Sequence, residues 1–459
     1  MQRPAGPEPG DPPRRGAGSA RLLRAMNTSA ALAHLLDHGP LTRAELVSLT
    51  GLSKPTASDV LRRLARAGLA SVVGHTSGGP GPQAEIYAPA PRAGYAAAVC
   101  LRPARPAGLL VGALCDLTGT VVARAAVDPD TDGASPAGAV AGLVQTLRAG
   151  AEVPPGAVRH VQLGVPGAYD RGDDTIRHID VPGWGRPGLV GELARRLGTP
   201  LDVENDVNLA AVAERSRGAA GQVDSFVLLW CGAGLGLAVD VGGRLLPGAH
   251  GGAGEIGYLP VRPDGPRATL QDLVGGPAVS ALAARYGVAA AAPGPAGPDP
   301  APRPGVGPLA ATRPPDPVRA VAGAVAALPQ PAAAAFLDEL AGRIAYGLAA
   351  VVAILDPYLI VLAGEVGRAG GRALADRVAA ALRARTPWRV RITPSGVPDD
   401  PVLAGAVEAG SRAVRRALVD GLRRTGGAEP GPGAPPTSLQ LAAPAGAATP
   451  TPDTTEVTR

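Results

Sequence analysis

Two neighbouring polar residues, Asn205 and Asp206, follow a short run at 201–203 after one intervening glutamate. Such a run reads as a strand, and ligands of open α/β sheets collect at the carboxyl ends of strands. An amide and a carboxylate are therefore placed where a ligand would sit; alternatively, either side chain caps a following helix. Gly232, Gly234 and Gly236 alternate at the junction of two further apolar runs. Without side chains they would let backbone N–H groups approach an anion or let strands pack closely, and a plain hairpin turn fits the same residues.

A third set lies near the start of the chain, in LTRAELVSLTGLSKPTASDVLRRLARAGLA. Lys54, Thr56 and Ser58 open a helical pattern, and Arg62, Arg63 and Arg66 end it. In a helix-turn-helix the first residues of the second helix reach base edges, and basic residues beyond them meet phosphates. Lys54, Thr56 and Ser58 are thus assigned to the major groove, and the three arginines to the backbone. Three-helix units of this size also serve as dimerisation or protein-binding modules.

The elements that must carry these residues can be read from periodicity. Leu32, Leu35 and Leu36 give one apolar helix face; Leu46 and Leu49 give a second, after Thr42 with Glu45 three residues on, the spacing of a capping box. Ser53 caps the third helix, which tolerates Pro55 in its first turn and turns Val60, Leu61 and Leu64 inward. Runs at 71–73 and 85–87 flank GHTSGGPGPQ and predict a two-stranded wing. Residues 21–91 therefore read as a winged helix-turn-helix domain. From 92 to 425, runs at 95–101, 109–114, 158–165, 201–203, 225–229, 235–241 and 358–362 alternate with helical stretches, including a long helix over 336–355. That order predicts an α/β fold in two lobes. Residues 1–20 and 426–459, and an insertion at 289–317, are rich in Pro, Gly and Ala and read as disordered.

Composition narrows the class. Of 459 residues 46% are hydrophobic and 18% charged, as in a soluble globular protein of two or three domains. Lys54 is the one lysine among 44 basic residues, so abundant arginine is no nucleic-acid signal by itself. Position says more, since residues 1–100 hold eleven Arg or Lys against six Asp or Glu. The basic surplus is N-terminal, either a nucleic-acid face or a solvated tail. Cys100, Cys115 and Cys231 lack paired spacing and read as core residues of a reduced, cytoplasmic compartment. The start lacks the apolar run of a signal peptide, and the longest apolar stretch, 344–355, falls short of a membrane span.

The segment SFVLLWCGAGLGLAVDVGGRLLPGAHGGAGEIG at 225–257 resembles the signature of the ROK family, named for repressors, open reading frames and kinases. ENDVNLAA at 204–211, LGVPGAYD at 163–170, LDPYLIVLAGEVG at 355–367 and DPVLAGAVEAG at 400–410 extend the resemblance over roughly 95–420. It implies the actin-like ATPase or sugar-kinase fold, two α/β lobes closing on a sugar. By resemblance Asn205 and Asp206 bind sugar hydroxyls, and Asp206 matches the catalytic base of phosphoryl transfer. Glu255 matches a sugar-binding glutamate, and the glycine loop faces ATP phosphates in the kinases. Asp180 stands where a sugar-binding asparagine is usual, Gln271 where a further glutamate is usual, and Tyr258, in the same cleft, where the family has a zinc-binding His.

The departures point away from catalysis. Family kinases open with an Asp-x-Gly-Gly-Thr phosphate loop; the matching stretch here, AAVCLRPARPAG, holds Arg102 and Arg105 and no acid. VRPDGPRATLQD lacks the three cysteines of the zinc site, so neither zinc nor another cofactor is expected. The wing lacks the arginine often found beside its glycines, which weakens a minor-groove contact. The expected protein is a homodimeric or homotetrameric regulator, binding a double-stranded DNA operator under the control of a sugar or sugar phosphate. A sugar kinase with a DNA-binding head, and a regulator with a degenerate sugar pocket, are the alternatives.

Overall fold

The computed structural model describes residues 15–77, 83–103, 108–129, 135–261, 268–288 and 315–424. Its first helix, α1 (Arg15–His38), begins inside the stretch read as a tail. Residues 1–14 and 425–459, and residues 289–314 of the Pro-rich insertion, lie outside the described residues, as do 78–82 of the wing. After α1 come the short strand β1 (Leu41–Thr42), α2 (Arg43–Thr50), α3 (Lys54–Arg66), and the wing strands β2 (Ala70–His75) and β3 (Glu85–Pro89). The sequence signals act locally. Thr42 and Glu45 form the reciprocal capping box, the Thr42 N–H donating to Glu45 Oε2 at 2.7 Å, and Ser53 caps α3. Leu32, Leu35, Leu46, Val60, Leu61 and Leu64 make one small core. Leu49 does not join it; the eight residues of α2 bury Leu46 alone and leave Leu49 41% exposed.

The first lobe contains β4 (Tyr95–Arg102), β5 (Leu109–Asp116), β6 (Val121–Val127), α4 (Pro136–Gly150), β7 (Val158–Val165), the small hairpin β8 (Ala168–Asp170) and β9 (Thr175–Arg177), α5 (Leu189–Leu197) and β10 (Leu201–Asn205). The helix α6 (Asp206–Arg217) leads to the second lobe, with β11 (Ser225–Cys231), β12 (Leu235–Val241), β13 (Arg244–Leu245), α7 (Leu270–Val274), α8 (Gly276–Arg285), α9 (Pro317–Ala326), α10 (Pro331–Leu355), β14 (Leu359–Ala363), α11 (Gly364–Arg385) and β15 (Arg391–Pro394). The last helix is α12 (Pro401–Arg424). Strand orders are β10-β7-β4-β5-β6 and β13-β12-β11-β14-β15. In each sheet three parallel strands continue into an antiparallel hairpin pair, so one topology is used twice. The sequence reading missed β6, an edge strand whose residues alternate between half-buried and exposed, and β15, only four residues long.

The layers follow from alternation along the strands. In β4, Tyr95, Ala97, Val99 and Leu101 face α4 and α5, and Ala96, Ala98 and Cys100 face the layer between the lobes. That middle layer is α6 and α12, packed against both sheets through Leu209, Ala210, Phe226, Leu228, Val361 and Val407. Small residues let it close: a methyl group on Gly405 of α12 would overlap the Leu209 carbonyl of α6. The outer layer of the second lobe, α7 to α11, packs Phe336, Leu340, Ile344, Leu374 and Val378 on the other sheet face.

The 24 residues of α12 span about 36 Å at 1.5 Å per residue. Its first turn lies beside Arg102, which pairs with Asp400. Its last turns, through Leu418, Val419 and Leu422, pack on the small N-terminal core, where Arg423 Nε donates to Ser29 Oγ at 3.1 Å. One helix thus touches both the lobes' cleft and the winged module.

Candidate ligand cleft and nucleic-acid interface

The carboxyl ends of β4, β10, β11 and β14 supply the cleft. Asn205 terminates β10 and caps α6, its Oδ1 accepting from the N–H groups of Val207 (2.8 Å) and Asn208 (3.3 Å). Its Nδ2 donates to the Gly167 carbonyl at 3.2 Å. The capping alternative is therefore realised, and the amide expected to bind sugar serves the backbone at both ends. Asp206 is the first residue of α6; its Oδ1 accepts from Val207 N–H at 2.8 Å. Burial pushes its pKa from 3.8 up to about 6 against the opposing effect of that hydrogen bond and of Arg102, and the charges of Glu255 and Glu365 add to the rise. Asp206, Arg102, Glu255 and Glu365 are therefore electrostatic neighbours.

Glu255 is half-buried, and burial raises its pKa against the attraction of His178. Gly254 places it. At φ 94° this residue lies flat on β12, accepting from Leu237 N–H at 3.0 Å, where any side chain would overlap the Leu237 carbonyl. Tyr258 is 60% exposed; its hydroxyl lies 3.3 Å from His178 Nδ1 and the two rings are 5.2 Å apart. His178, absent from the sequence-derived site, comes from the first lobe and meets Tyr258 of the second. Asp180 stands exposed in the loop between β9 and α5 and makes no hydrogen bond to a described residue.

The glycine motif divides. Gly232 and Gly234 form the turn between β11 and β12, with Gly232 N–H donating to the Gly234 carbonyl at 3.0 Å. Gly236 lies within β12, opposite Trp230, and a methyl there would come within 2.7 Å of the Val207 side chain. It belongs to packing against α6 and not to an anion loop. Gln271 is likewise engaged with backbone. Its Oε1 accepts from Leu235 N–H at 2.9 Å and its Nε2 donates to the Ala233 carbonyl at 3.2 Å, so its amide staples the glycine turn. A separate cavity of about 260 Å³, lined by residues including Tyr169, Arg171, Glu204 and Pro247, shares Asn205 with the cleft but not Asp206 or Glu255.

The zinc site implied by the resemblance does not fit the residues present. Tyr258 replaces the histidine, and Cys100, Cys115 and Cys231 are buried in β4, β5 and β11, where burial pushes their thiols up to about 12. Thiolates, which a zinc site needs, are disfavoured there. Among the described residues no group of three or more His, Cys, Asp or Glu is placed to hold a metal ion, and no helix is long and apolar enough to cross a membrane.

On the winged module, α3 buries Ala57, Val60, Leu61 and Leu64 and presents Lys54, Arg62 and Arg66 to solvent. Thr56 and Ser58 are half-buried. The Thr56 hydroxyl shares a 2.8 Å hydrogen bond with Ser53, and Ser58 donates to the Lys54 carbonyl at 3.0 Å and accepts from Arg43 at 3.2 Å. Arg43, overlooked in the sequence, is thereby brought beside the start of α3. Asp59 pairs with Arg62 at 2.9 Å and with Arg63 at 2.6 Å, offsetting part of the basic face. The i,i+3 and i,i+4 spacing of these three residues was the available signal.

The ROK family model matches residues 109–409, more than half of the chain. The chain belongs to the ROK family. A MarR family model matches residues 25–78, the helices and first wing strand of the N-terminal module. The xylose repressor of Bacillus subtilis is 25% identical over 251 residues, 54% of this chain and 63% of that protein. The glucokinase of Thermotoga maritima is 37% identical over 108 residues, 23% of this chain and 34% of the enzyme. The matched region thus spans less than two thirds of either relative. Among solved structures, a ROK family transcriptional regulator described as a homolog of the E. coli MLC protein superposes with a TM-score of 0.64 at 20% identity, covering 88% of this chain and 99% of that one. The ROK glucokinase of Streptomyces griseus, solved with glucose and AMPPNP, gives 0.52 at 21% identity over 70% of this chain and all of its own. The shared architecture is therefore an actin-like sugar-kinase fold, to which this chain adds the winged module at its N-terminus.

Proposed function

We propose that the protein is a DNA-binding transcription regulator whose ROK domain senses a sugar, acting as a repressor and not as a kinase. The observation that carries this reading is α12. Its first turn stands by Asp400 and Arg102 at the cleft, and its last turns pack under α1 against the core that holds α3. A ligand that draws the lobes together shifts this helix and with it the paired recognition helices. Such coupling between two sites is typically about 1–3 kcal/mol and is reciprocal, so DNA alters sugar affinity by the same factor. The xylose repressor likeness supports the reading.

In this proposal Lys54, with Thr56 and Ser58 behind it, reads bases, and Arg62, Arg63, Arg66 and Arg43 contact phosphates. Asp206 and Glu255 hold the sugar's hydroxyls, with Tyr258 and His178 at the rim and Asp180 on its loop. The protein works as a homodimer on an inverted repeat, the arrangement in which two-fold protein symmetry matches two half-sites. Anisotropy titration on DNA from its own promoter region, with glucose and xylose added, tests this. Specific binding that a sugar weakens is expected; salt-sensitive binding without sequence preference contradicts it. A regulator with a degenerate pocket is the second reading, favoured by the engagement of Asn205 and Gln271 with backbone. It predicts specific DNA binding that no sugar alters.

A further inference from the structure

The turn between β11 and β12 already has a carboxylate against it. Glu365 lies in the first turn of α11, directly after β14, and α11 begins pressed on that turn: Gly364, at φ 78°, approaches the Cys231 backbone so closely that any side chain would collide with it. The position of the helix start is therefore set by backbone contact. From there the Glu365 side chain reaches over Gly232, where an added methyl group would overlap its Oε2; the indole nitrogen of Trp230 lies 3.0 Å from the same point. Helix N-termini and glycine turns are both favourable to anions. Here the anion comes from the chain itself.

The carboxylate thus covers the glycine turn, which in the kinase-like reading faces nucleotide phosphates. Asp206 is in range as well, near enough for the charge of Glu365 to help hold its proton. In phosphoryl transfer the migrating group passes between a phosphate-holding loop and the base that takes the hydroxyl's proton, and a phosphorylated sugar keeps its phosphate there. A negative side chain at that point opposes a phosphate by volume and by charge. Arg102, a cation facing Asp206, is committed to Asp400.

We propose that Glu365 is a built-in occupant of the phosphoryl position, so that the cleft rejects nucleotides and sugars phosphorylated at the hydroxyl facing Asp206 and admits uncharged sugars. The admission of sugars rests on the function proposed above, whereas the exclusion of phosphate stands independently of it.

The test is calorimetric titration of the full-length protein with tripolyphosphate and with AMPPNP, for wild type, Glu365→Ala and Glu365→Gln. Wild type is expected to bind neither at 1 mM; Glu365→Ala gains about tenfold or more in affinity for both, the scale of removing one close like charge. Glu365→Gln keeps the size without the charge, is the safer variant for folding, and gains less. Wild-type binding as tight as that of either variant overturns the proposal, as does no gain in variants that keep the wild-type melting temperature. In parallel, the melting temperature is followed with glucose, xylose and glucose 6-phosphate. The neutral sugars stabilise wild type, and the phosphate ester does so only in Glu365→Ala. A gain in polyphosphate binding with no response to any sugar overturns the sugar reading and leaves the role of Glu365 intact; sugar stabilisation without that gain overturns the role of Glu365 alone.

Discussion

The two lobes repeat one strand order, but their leading hairpins have diverged. In the first lobe β4 ends at Arg102, whose guanidinium turns to Asp400 at the start of α12. In the second, β11 and β12 keep a tight glycine turn, stapled by Gln271 and faced by Glu365. The sheets do not register the difference, because their strands are held by the apolar layers on either side. A fold secured by its cores leaves hairpin chemistry free to change. On the proposed reading, the first hairpin has exchanged phosphate binding for a link to the helix that reaches the DNA-binding module, and the second has kept its shape and filled its own anion position.

If the lobes are equivalent scaffolds joined by one middle layer, the largest effect comes from damaging that layer. Leu209→Ala, at a fully buried position shared by both sheets, is expected to cost about 2–5 kcal/mol. It should lower the melting of the whole two-lobed domain in a single calorimetric transition. Separate melting of the lobes would break the comparison.

A smaller effect, dependent on pH, comes from the cleft that both hairpins border. Asp206 titrates near 6 in the folded protein against 3.8 ordinarily, so the native state binds its proton more tightly than the unfolded chain does. The associated stability is complete below about pH 4 and lost as pH rises through about 6. Asp206→Asn removes the loss, so denaturant titrations should show the variant gaining about 1–2 kcal/mol on wild type between pH 4 and 6.5 and nothing further above. This is less than the full shift allows because the side chain is partly open to water. A constant offset across that range would contradict the burial argument.

Gln271→Ala should cost about 1 kcal/mol, from two hydrogen bonds to a turn that water can partly replace. Its urea midpoint reports this, and amide exchange at Leu235 should quicken. Arg102→Ala should cost least, about 0.5–1 kcal/mol, since its pair with Asp400 is partly exposed. Its effect on the response of DNA binding to sugar should nevertheless exceed that of Gln271→Ala. Equal responses would remove the functional contrast between the hairpins.

Long periodic elements were legible because their residues declare a buried face locally: the seven runs read as strands of the two lobes lie within β4, β5, β7, β10, β11 and β12 and along β14. Capping signals at Thr42 and Ser53 were legible for the same reason. What was not legible depended on contacts between distant residues. Gln271 stands 36 residues from the Leu235 N–H it accepts from, and no local pattern announces that its amide is engaged. Asp400 meets Arg102 across 298 positions. The edge strand β6 lacks a fully buried face, and β15 is too short for a period to register. Glu365 carried a readable sign, a carboxylate in the first turn of a helix at a strand's carboxyl end, and its weight became clear only with Gly232 beneath it.

The central claim is that the ROK domain controls the winged module. Its most direct test is the affinity of the full-length protein for its promoter DNA, measured by anisotropy at fixed salt with and without a sugar that raises the melting temperature. Lys54→Ala serves as the control for specificity. The account predicts specific binding that Lys54→Ala weakens by about 1–3 kcal/mol and that the sugar shifts by about 5- to 150-fold. Specific binding that stays constant while the sugar demonstrably occupies the protein would contradict it.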